Sequence, residues 1–306
     1  MSDRILSFER APSTLADYNE GDTRNATSLR RELSFRNQAI AKSEKLLHAL
    51  TDGGIPSVIF GENGVSTHGN FHPASYRSIC ANAAWASRLS KVHTAYRRMR
   101  ARADWKWMEL DCANSSDALL MNIFCHPDAF VDGRISALLG TGAEDRPEFG
   151  FKPRVPLHGA QSDRTEIDMK LGDLYVEAKL TETNFQQAKP SLLQRYRDLA
   201  VVFETDHLPA TPTTSEGYQL VRGALAAYAA NASFCVLCDD RRPDLIEAWY
   251  RVLRAVRSGE FRWKLKLLTW QELASVLPDE LRSFLSRKYG IIGCSERTNW
   301  EPPRTL

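Results

Sequence analysis

The chain has 306 residues, of which 43% are hydrophobic and 25% charged, and its formal net charge at pH 7 is +2. This composition predicts a soluble globular protein of one large or two smaller domains, and it excludes the overall basic character of many nucleic-acid binders, so that any such surface must be local. Neither a membrane-length apolar run nor a signal-peptide core is present, which predicts a cytoplasmic protein whose six cysteines are reduced.

The N-terminal third predicts helices on either side of a glycine-rich loop. Residues 28–50 carry leucines and an isoleucine at helical spacing, and residues 51–74 contain five glycines and are typical of a loop. Residues 75–107 continue as helix and then become basic. His68 and His72 of the loop could face a ligand, although loop histidines are usually solvated.

Positive charge is concentrated between residues 91 and 106, where six Lys or Arg residues oppose one acid and aromatic residues lie among them. Arginine binds phosphate in a bidentate manner, and aromatic rings stack on bases. The alternative is a solvated helix face whose aromatic residues lie in the core. The nucleic-acid interpretation assigns backbone contacts to Arg97, Arg98, Arg100, Arg102 and Lys106.

The remainder of the chain alternates between helical and strand patterns. Ser115 or Ser116 is suited to cap a helix that ends near Phe124, ahead of Pro127. The later elements are predicted as a short helix at 133–139, a strand at 148–155, a hairpin at 165–180, helices at 190–199 and 216–230 (the latter capped by Ser215), a strand at 233–238, a helix at 241–256, a strand at 263–270 and a helical stretch at 271–289.

The hairpin TEIDMKLGDLYVEAKL carries the most chemistry. Gly172-Asp173 suits a tight two-residue turn, and the ladder extended from it sets Asp168 opposite Glu177 and Glu166 opposite Lys179. Two opposed carboxylates repel each other unless a cation lies between them, which makes this a candidate Mg²⁺ site.

Alternation along the hairpin predicts two faces with different character. The apolar face consists of Ile167, Met169, Leu171, Leu174, Val176, Ala178 and Leu180. The polar face consists of Glu166, Asp168, Lys170, Tyr175, Glu177 and Lys179. The alternative interpretation is an amphipathic hairpin with a solvated charged face, in which Glu166 and Lys179 form a surface ion pair.

This order of elements resembles the restriction-endonuclease-like, or PD-(D/E)xK, nuclease superfamily over about residues 110–270. Asp168 matches the first acid of that motif, and residues 177–179 (Glu-Ala-Lys) match the second part. Ile167 stands where the motif name has proline, a position that the superfamily varies freely. The Ser-Ser-x-Ala form at 115–118 and the Glu-x-Lys-x-Thr-Glu form at 177–182 are similar to those of uncharacterised bacterial restriction-endonuclease-like proteins.

The resemblance implies an α/β fold with a restriction-endonuclease-like core. A central mixed sheet of four to five strands would be flanked by helices, in a nuclease-like domain at 108–306 that follows an N-terminal arm and helical extension at 1–107. It implies a Mg²⁺-dependent DNA endonuclease of restriction or genome-defence type, with Mn²⁺ as a substitute. The substrate would be double-stranded DNA, and a homodimer is expected by analogy.

The resemblance also implies residue roles. Asp168, Glu177 and the carbonyl oxygen of Ala178 would hold the metal, and Lys179 would position the attacking water. Three further residues would support the site: Gln219 from the following helix, Asp117 from the first helix, and Glu166, whose predicted place opposite Lys179 would keep that lysine protonated. The alternative function is a catalytically inactive DNA-binding or assembly module on the same fold.

Other candidate sites are weaker. Cys235 and Cys238 have zinc-ligand spacing without a second pair, and strand alternation would place them on opposite faces as core residues. Cys125 and His126 are also interpreted as packing residues. The sequence contains no phosphate-binding glycine loop of the Walker or dinucleotide type.

Overall fold

The computed structural model describes residues 25–64, 67–92 and 107–294. The helices are α1 (Ala26–Ser43), α2 (Pro73–Ala81), α3 (Ala83–Ala86), α4 (Ser116–Phe124), α5 (Arg134–Leu139), α6 (Pro190–Leu193), α7 (Leu199–Val202), α8 (Tyr218–Ala229), α9 (Pro243–Leu253), α10 (Gly259–Arg262), α11 (Trp270–Ala274) and α12 (Asp279–Tyr289), with 3₁₀ turns at Ser87–Ser90, Glu109–Asp111 and Thr205–His207. The strands are β1 (His48–Leu50), β2 (Val58–Phe60), β3 (Pro147–Phe151), β4 (Val155–Pro156), β5 (Ser162–Asp163), β6 (Ile167–Leu171), β7 (Leu174–Ala178), β8 (Gln187–Ala188), β9 (Ser215–Glu216), β10 (Ser233–Cys238) and β11 (Leu265–Thr269).

A five-stranded mixed sheet in the order β11-β10-β7-β6-β3 forms the centre of the molecule. β3, β6 and β7 are antiparallel, whereas β10 and β11 run parallel to β7. α8 makes the crossover from β7 to β10, as parallel strands require. The predicted mixed sheet flanked by helices, with a helical N-terminal extension, is therefore confirmed.

Helices cover both faces of this sheet. The cluster of buried residues on one face joins the sheet to α1, α4, α11 and α12. The cluster on the other face joins it to α7, α8 and α9. β7 lies between the two clusters and all five of its residues are buried, as expected for a strand that is covered on both sides.

The hairpin forms around the predicted turn, where Gly172 has a φ of +55°. The pairs Leu171–Leu174 and Met169–Val176 are confirmed, but the β6–β7 ladder ends there. Beyond that point β6 remains paired with β3 as far as Ile167, and β7 remains paired with β10 as far as Ala178. The two strands therefore separate at Asp168 and Glu177, and the predicted ladder pairs Asp168–Glu177 and Glu166–Lys179 do not form.

The predicted apolar face of the hairpin is wrong at Ile167. Met169 packs in the cluster on the α4 side, whereas Ile167 packs in the cluster on the α8 side. On β3, Phe149 packs against the cluster on the α4 side and Phe151 against the cluster on the α8 side. Gly150 lies between them and has a left-handed φ of +67°. Two residues of the same strand thus face opposite sides, because the regular β3–β6 pairing is interrupted between Gly150 and Asp168.

The first predicted helix is too long at its C-terminus. α1 ends at Ser43, and Lys45 adopts a left-handed φ of +53° that turns the chain into β1. β1 then pairs with β2, which lies inside the segment predicted as loop. The last residues of the apolar stripe therefore belong to a two-stranded sheet instead of a helix.

The capped helix α4 and the predicted strands at 233–238 and 263–270 are present, with only small shifts of their ends. α8 begins at Tyr218 with Gly217 as its N-cap residue, instead of Ser215, because Ser215 lies in β9. The predicted elements at 148–155, 190–199 and 271–289 are each divided in two. No helix in the described ranges is long and apolar enough to cross a membrane. The predicted DNA contacts Arg97, Arg98, Arg100, Arg102 and Lys106 lie outside these ranges.

Candidate active site

The separation of β6 from β7 brings the three motif side chains to one end of the hairpin. The Asp168 Oδ2 atom accepts a hydrogen bond of 2.7 Å from the backbone N–H of Ala178. Lys179 Nζ lies 2.6 Å from Glu177 Oε1, and both side chains are almost completely buried. Because the β6–β7 ladder ends before this point, the Ala178 amide binds the Asp168 carboxylate instead of a carbonyl of β6.

Gln219 joins this group from the first turn of α8. Its Nε2 atom donates to Glu177 Oε1 at 2.6 Å. The backbone N–H of Gln219 donates to the carbonyl of Phe185 at 3.0 Å, which ties the start of α8 to the chain that follows β7. Among the described residues, both hydrogen bonds to the Glu177 side chain end on Oε1, so Oε2 is the atom left for a ligand.

The Asp168 carboxylate is in an environment that opposes its charge. Burial raises its pKa well above the ordinary value of 3.8, and the nearby carboxylates of Glu177 and Asp117 raise it further. Lys179 and the Ala178 amide act in the opposite direction without cancelling this effect. Crowded carboxylate oxygens of this kind are relieved by a hard divalent cation, so the residues present fit Mg²⁺.

Lys179 is held as an ammonium group. Burial by itself would lower its pKa, but the carboxylates of Glu177, Asp168 and Glu182 raise the pKa above the ordinary 10.5. The backbone of Lys179 is fixed as well, because its N–H donates to Leu237 at 2.8 Å and its carbonyl accepts from Trp270 Nε1 at 2.9 Å. The lysine is thus charged and oriented before any ligand binds.

Glu182 is a site residue that was not predicted from the sequence. Its Oε1 atom accepts from Ser116 Oγ, and its Oε2 atom accepts from the backbone N–H of Leu180, both at 2.6 Å. The Ser-Ser-x-Ala and Glu-x-Lys-x-Thr-Glu segments therefore meet through one hydrogen bond. The sequence signal for this contact was the joint presence of the two segments, since neither segment alone indicates which residue the other contacts.

Asp117 and Glu166 form a second acidic layer that is neutralised by two cations. Lys91 Nζ lies 2.7 Å from Asp117 and 3.2 Å from Glu166, and the Arg88 guanidinium lies 3.2 Å from Asp117 and 2.9 Å from Glu166. Burial opposes the charge on both cations, but the two acids still raise their pKa values above normal. The predicted partnership of Glu166 with Lys179 is therefore wrong, since Glu166 pairs with Arg88 and Lys91.

The strand that carries Asp168 is anchored by Arg222, which is 2% exposed. This arginine donates from α8 to the carbonyl oxygens of Thr165 and Glu166, both at 2.9 Å. The beginning of β6 is therefore positioned by the same helix that supplies Gln219.

The charges around the site do not balance. Five carboxylates interact with three basic side chains, so the group has an excess negative charge of two when every acid is ionised. A divalent cation would compensate for this excess. The acids are Asp117, Glu166, Asp168, Glu177 and Glu182, and the basic residues are Arg88, Lys91 and Lys179.

The competing cysteine pair belongs to the core. Cys235 packs in the cluster on the α4 side of the sheet and Cys238 in the cluster on the α8 side, so the two thiols face away from each other. Burial raises the pKa of each thiol to about 12, which disfavours the thiolate that zinc binds.

Comparison with known protein families gives a match over most of the chain. The family described as Restriction Endonuclease associating with ARP matches residues 36–290. No curated protein and no solved structure matches the chain.

Proposed function

The chain belongs to this restriction endonuclease family, and we propose that it is a Mg²⁺-dependent endonuclease that hydrolyses phosphodiester bonds in double-stranded DNA. The observation that carries the proposal is the convergence of Asp168, Glu177 and Lys179, together with Gln219, where β6 and β7 separate. The family description supports a restriction role, and a role in genome defence is part of the same proposal.

In this proposal Asp168, Glu177 and the Ala178 carbonyl hold the cation. The bound Mg²⁺ would polarise the scissile phosphate and stabilise the leaving oxygen. Gln219 fixes the carboxylate of Glu177 through Oε1 and keeps Oε2 available. Mn²⁺, which also favours oxygen ligands, is expected to substitute.

Lys179 is proposed to orient the attacking water and to stabilise charge that develops on the phosphate. Its raised pKa excludes a large neutral fraction at pH 7, so a general-base role is disfavoured. A preorganised ammonium acts instead as an electrostatic stabiliser, which requires no proton transfer at the moment of reaction.

The wider proposal concerns DNA binding and assembly. Arg97, Arg98, Arg100, Arg102 and Lys106 would contact the DNA backbone, and a homodimer would supply the two active sites that a double-strand break requires. Residues 1–107 would form the N-terminal arm and helical extension, and residues 108–306 the nuclease-like domain.

The test is cleavage of supercoiled plasmid and phage DNA, methylated and unmethylated, in Mg²⁺, in Mn²⁺ and in EDTA. We expect nicking or linearisation by the wild-type protein only with a divalent cation. Lys179→Ala and Asp168→Asn should each lower the rate at least ~100-fold. Lys170→Ala removes a half-buried lysine from the same hairpin and serves as the matched control with nearly unchanged cleavage.

Two results would contradict the proposal. Cleavage by the Lys179→Ala protein at the wild-type rate would remove Lys179 from the reaction. DNA binding by gel shift without cleavage of any substrate would instead favour the catalytically inactive binding module.

A further inference from the structure

His72, His126 and Glu280 come together from three separate elements outside the nuclease site. His72 caps the N-terminus of α2, His126 follows α4, and Glu280 lies in the first turn of α12. One potential ligand atom of each lies within 4.8 Å of those of the other two. The two imidazole rings are 4.9 Å apart between centroids.

The buried imidazole of this group has an unused nitrogen. His126 is 3% exposed, and its Nε2 atom has no hydrogen-bond partner among the residues that the structure describes. Its Nδ1 atom is occupied, because it accepts from the backbone N–H of Asp128 at 3.2 Å. The Nδ1 atom of His72 likewise accepts from the N–H of Ala74, at 3.3 Å. An Nδ1 atom that accepts leaves the ring proton on Nε2, so a metal bound at Nε2 requires the other tautomer of each ring.

We propose that His72, His126 and Glu280 bind a divalent transition-metal ion of the zinc class. Two imidazoles and one carboxylate suit Zn²⁺, whereas Mg²⁺ prefers a site made of oxygen atoms. Three protein ligands leave a fourth position for water. His72 and Glu280 line a cavity of about 630 Å³, so two of the three ligands can be reached from it.

Protons and neighbouring charges affect this site in opposite directions. A metal binds the neutral imidazole, and that form is favoured by the burial of His126 and the partial burial of His72. The Arg77 cation opposes metal binding, while Asp128 and Glu280 favour it. Binding through Nε2 moves each ring proton to Nδ1 and gives up amide contacts that are already long.

A metal at this position would join the N-terminal extension to the C-terminal helix. His72 belongs to the extension, and Glu280 belongs to α12, which packs against α1. His126 directly follows α4, the helix that carries Asp117. This placement supports a cross-link between these three elements that lies outside the nuclease site.

The test is titration of the metal-free full-length protein with Zn²⁺ by calorimetry, with Co²⁺ absorption as a second readout. The Asp168→Asn background weakens any contribution from the nuclease site, and prior alkylation blocks the exposed Cys80 and Cys294. We expect one Zn²⁺ per chain, and a melting temperature that rises by about 5 °C at saturation. The Co²⁺ spectrum should lack a thiolate band.

Glu280→Gln is the decisive variant because Glu280 is exposed, so its replacement leaves folding intact. This variant and His72→Gln should weaken Zn²⁺ binding at least tenfold and abolish the thermal shift. Glu144→Gln and His158→Gln alter residues elsewhere on the molecule and should bind Zn²⁺ normally. The proposal is overturned if the parent protein takes up no Zn²⁺, or if Glu280→Gln binds it as tightly as the parent.

Discussion

Glu177 is the residue on which the contacts of the site converge. Its side chain is almost fully buried, and a single oxygen accepts from Lys179 and from Gln219, both at 2.6 Å. A buried carboxylate is costly unless it is paired and hydrogen-bonded, and here the ammonium and the amide provide both. The second oxygen is thereby given a defined direction, which is what a metal ligand requires.

Replacement of Gln219 by alanine should impair catalysis more than stability. The variant loses one of the two hydrogen bonds that orient Glu177, so we expect the cleavage rate to fall ~10- to 100-fold and the metal concentration for half-maximal activity to rise. Single-turnover cleavage over a Mn²⁺ titration measures both effects. The exposed Gln161→Ala is the control, and equal rates in the two variants would argue against a positioning role for Gln219.

The raised pKa of Asp168 predicts a pH-dependent stability in the absence of metal. The folded protein binds this proton more tightly than the unfolded chain does, so the stabilisation present below pH 3.8 is lost as the pH rises through the raised pKa. An asparagine at position 168 resembles the protonated aspartic acid, so the Asp168→Asn variant should keep this stabilisation as the pH rises.

We therefore expect Asp168→Asn to be inactive yet more stable than the wild type at pH 8 in EDTA, with a smaller difference at pH 4. Urea unfolding at both pH values measures this. Mn²⁺ should stabilise the wild type more than the variant. If the Asp168→Asn protein is less stable than the wild type at pH 8, the ionised carboxylate of Asp168 does not destabilise the folded protein.

At the scale of elements, the site depends on the separation of two strands. β6 and β7 diverge because each keeps its outer neighbour, β3 for one and β10 for the other. The β3–β6 pairing is interrupted at Gly150, where a Cβ atom would overlap the Arg88 guanidinium. The absence of a side chain at Gly150 thus makes room for the cation that pairs with Asp117 and Glu166.

Gly150→Ala should be more damaging than the equivalent change in a loop. Arg88 could move away, but it would then lose its ion pairs with Asp117 and Glu166 in a partly buried setting. Gly159→Ala is the control, because Gly159 also has a positive φ but a Cβ atom added there would meet no other atom within 4 Å.

Both variants place alanine at a positive φ, which is unfavourable in each. The difference in their free energies of unfolding therefore measures the overlap of the new Cβ atom with Arg88. We expect Gly150→Ala to lose a further ~1–2 kcal/mol in the free energy of unfolding, measured by urea denaturation. Equal losses in the two variants would mean that Arg88 relaxes without cost.

At the scale of the molecule, α1 is part of the main core. Leu29 and Leu33 of α1 belong to the same buried cluster as residues of α4, β7 and α12. The buried Lys288 of α12 donates to Asn37 of α1 at 2.9 Å. A helix that contributes to the core in this way should unfold together with the central sheet.

Leu33→Ala should destabilise the whole protein. Leu33 is fully buried, so we expect a loss of ~2–5 kcal/mol in the free energy of unfolding within a single transition. Leu138→Ala, at a position that is 38% exposed, should cost much less. Two separate transitions in thermal or chemical denaturation, with Leu33→Ala affecting only the first, would show that the extension folds on its own.

The sequence by itself determined the features that depend on neighbouring residues. The Gly172 turn, the strand pairs nearest to it and the cap of α4 follow from local backbone chemistry, and they were predicted correctly. The order of elements and the Asp168 and Glu-Ala-Lys motif were sufficient to indicate the restriction endonuclease resemblance, which the family match confirms.

Only the tertiary structure decided which side chains meet. Glu166 is paired with Arg88 and Lys91, which lie 78 and 75 positions away in the chain, and not with the lysine predicted across the hairpin. Glu182 meets Ser116 across 66 positions. Local patterns set the direction of a side chain, but the packing of α4, β3 and α8 around the hairpin determines the charges it faces.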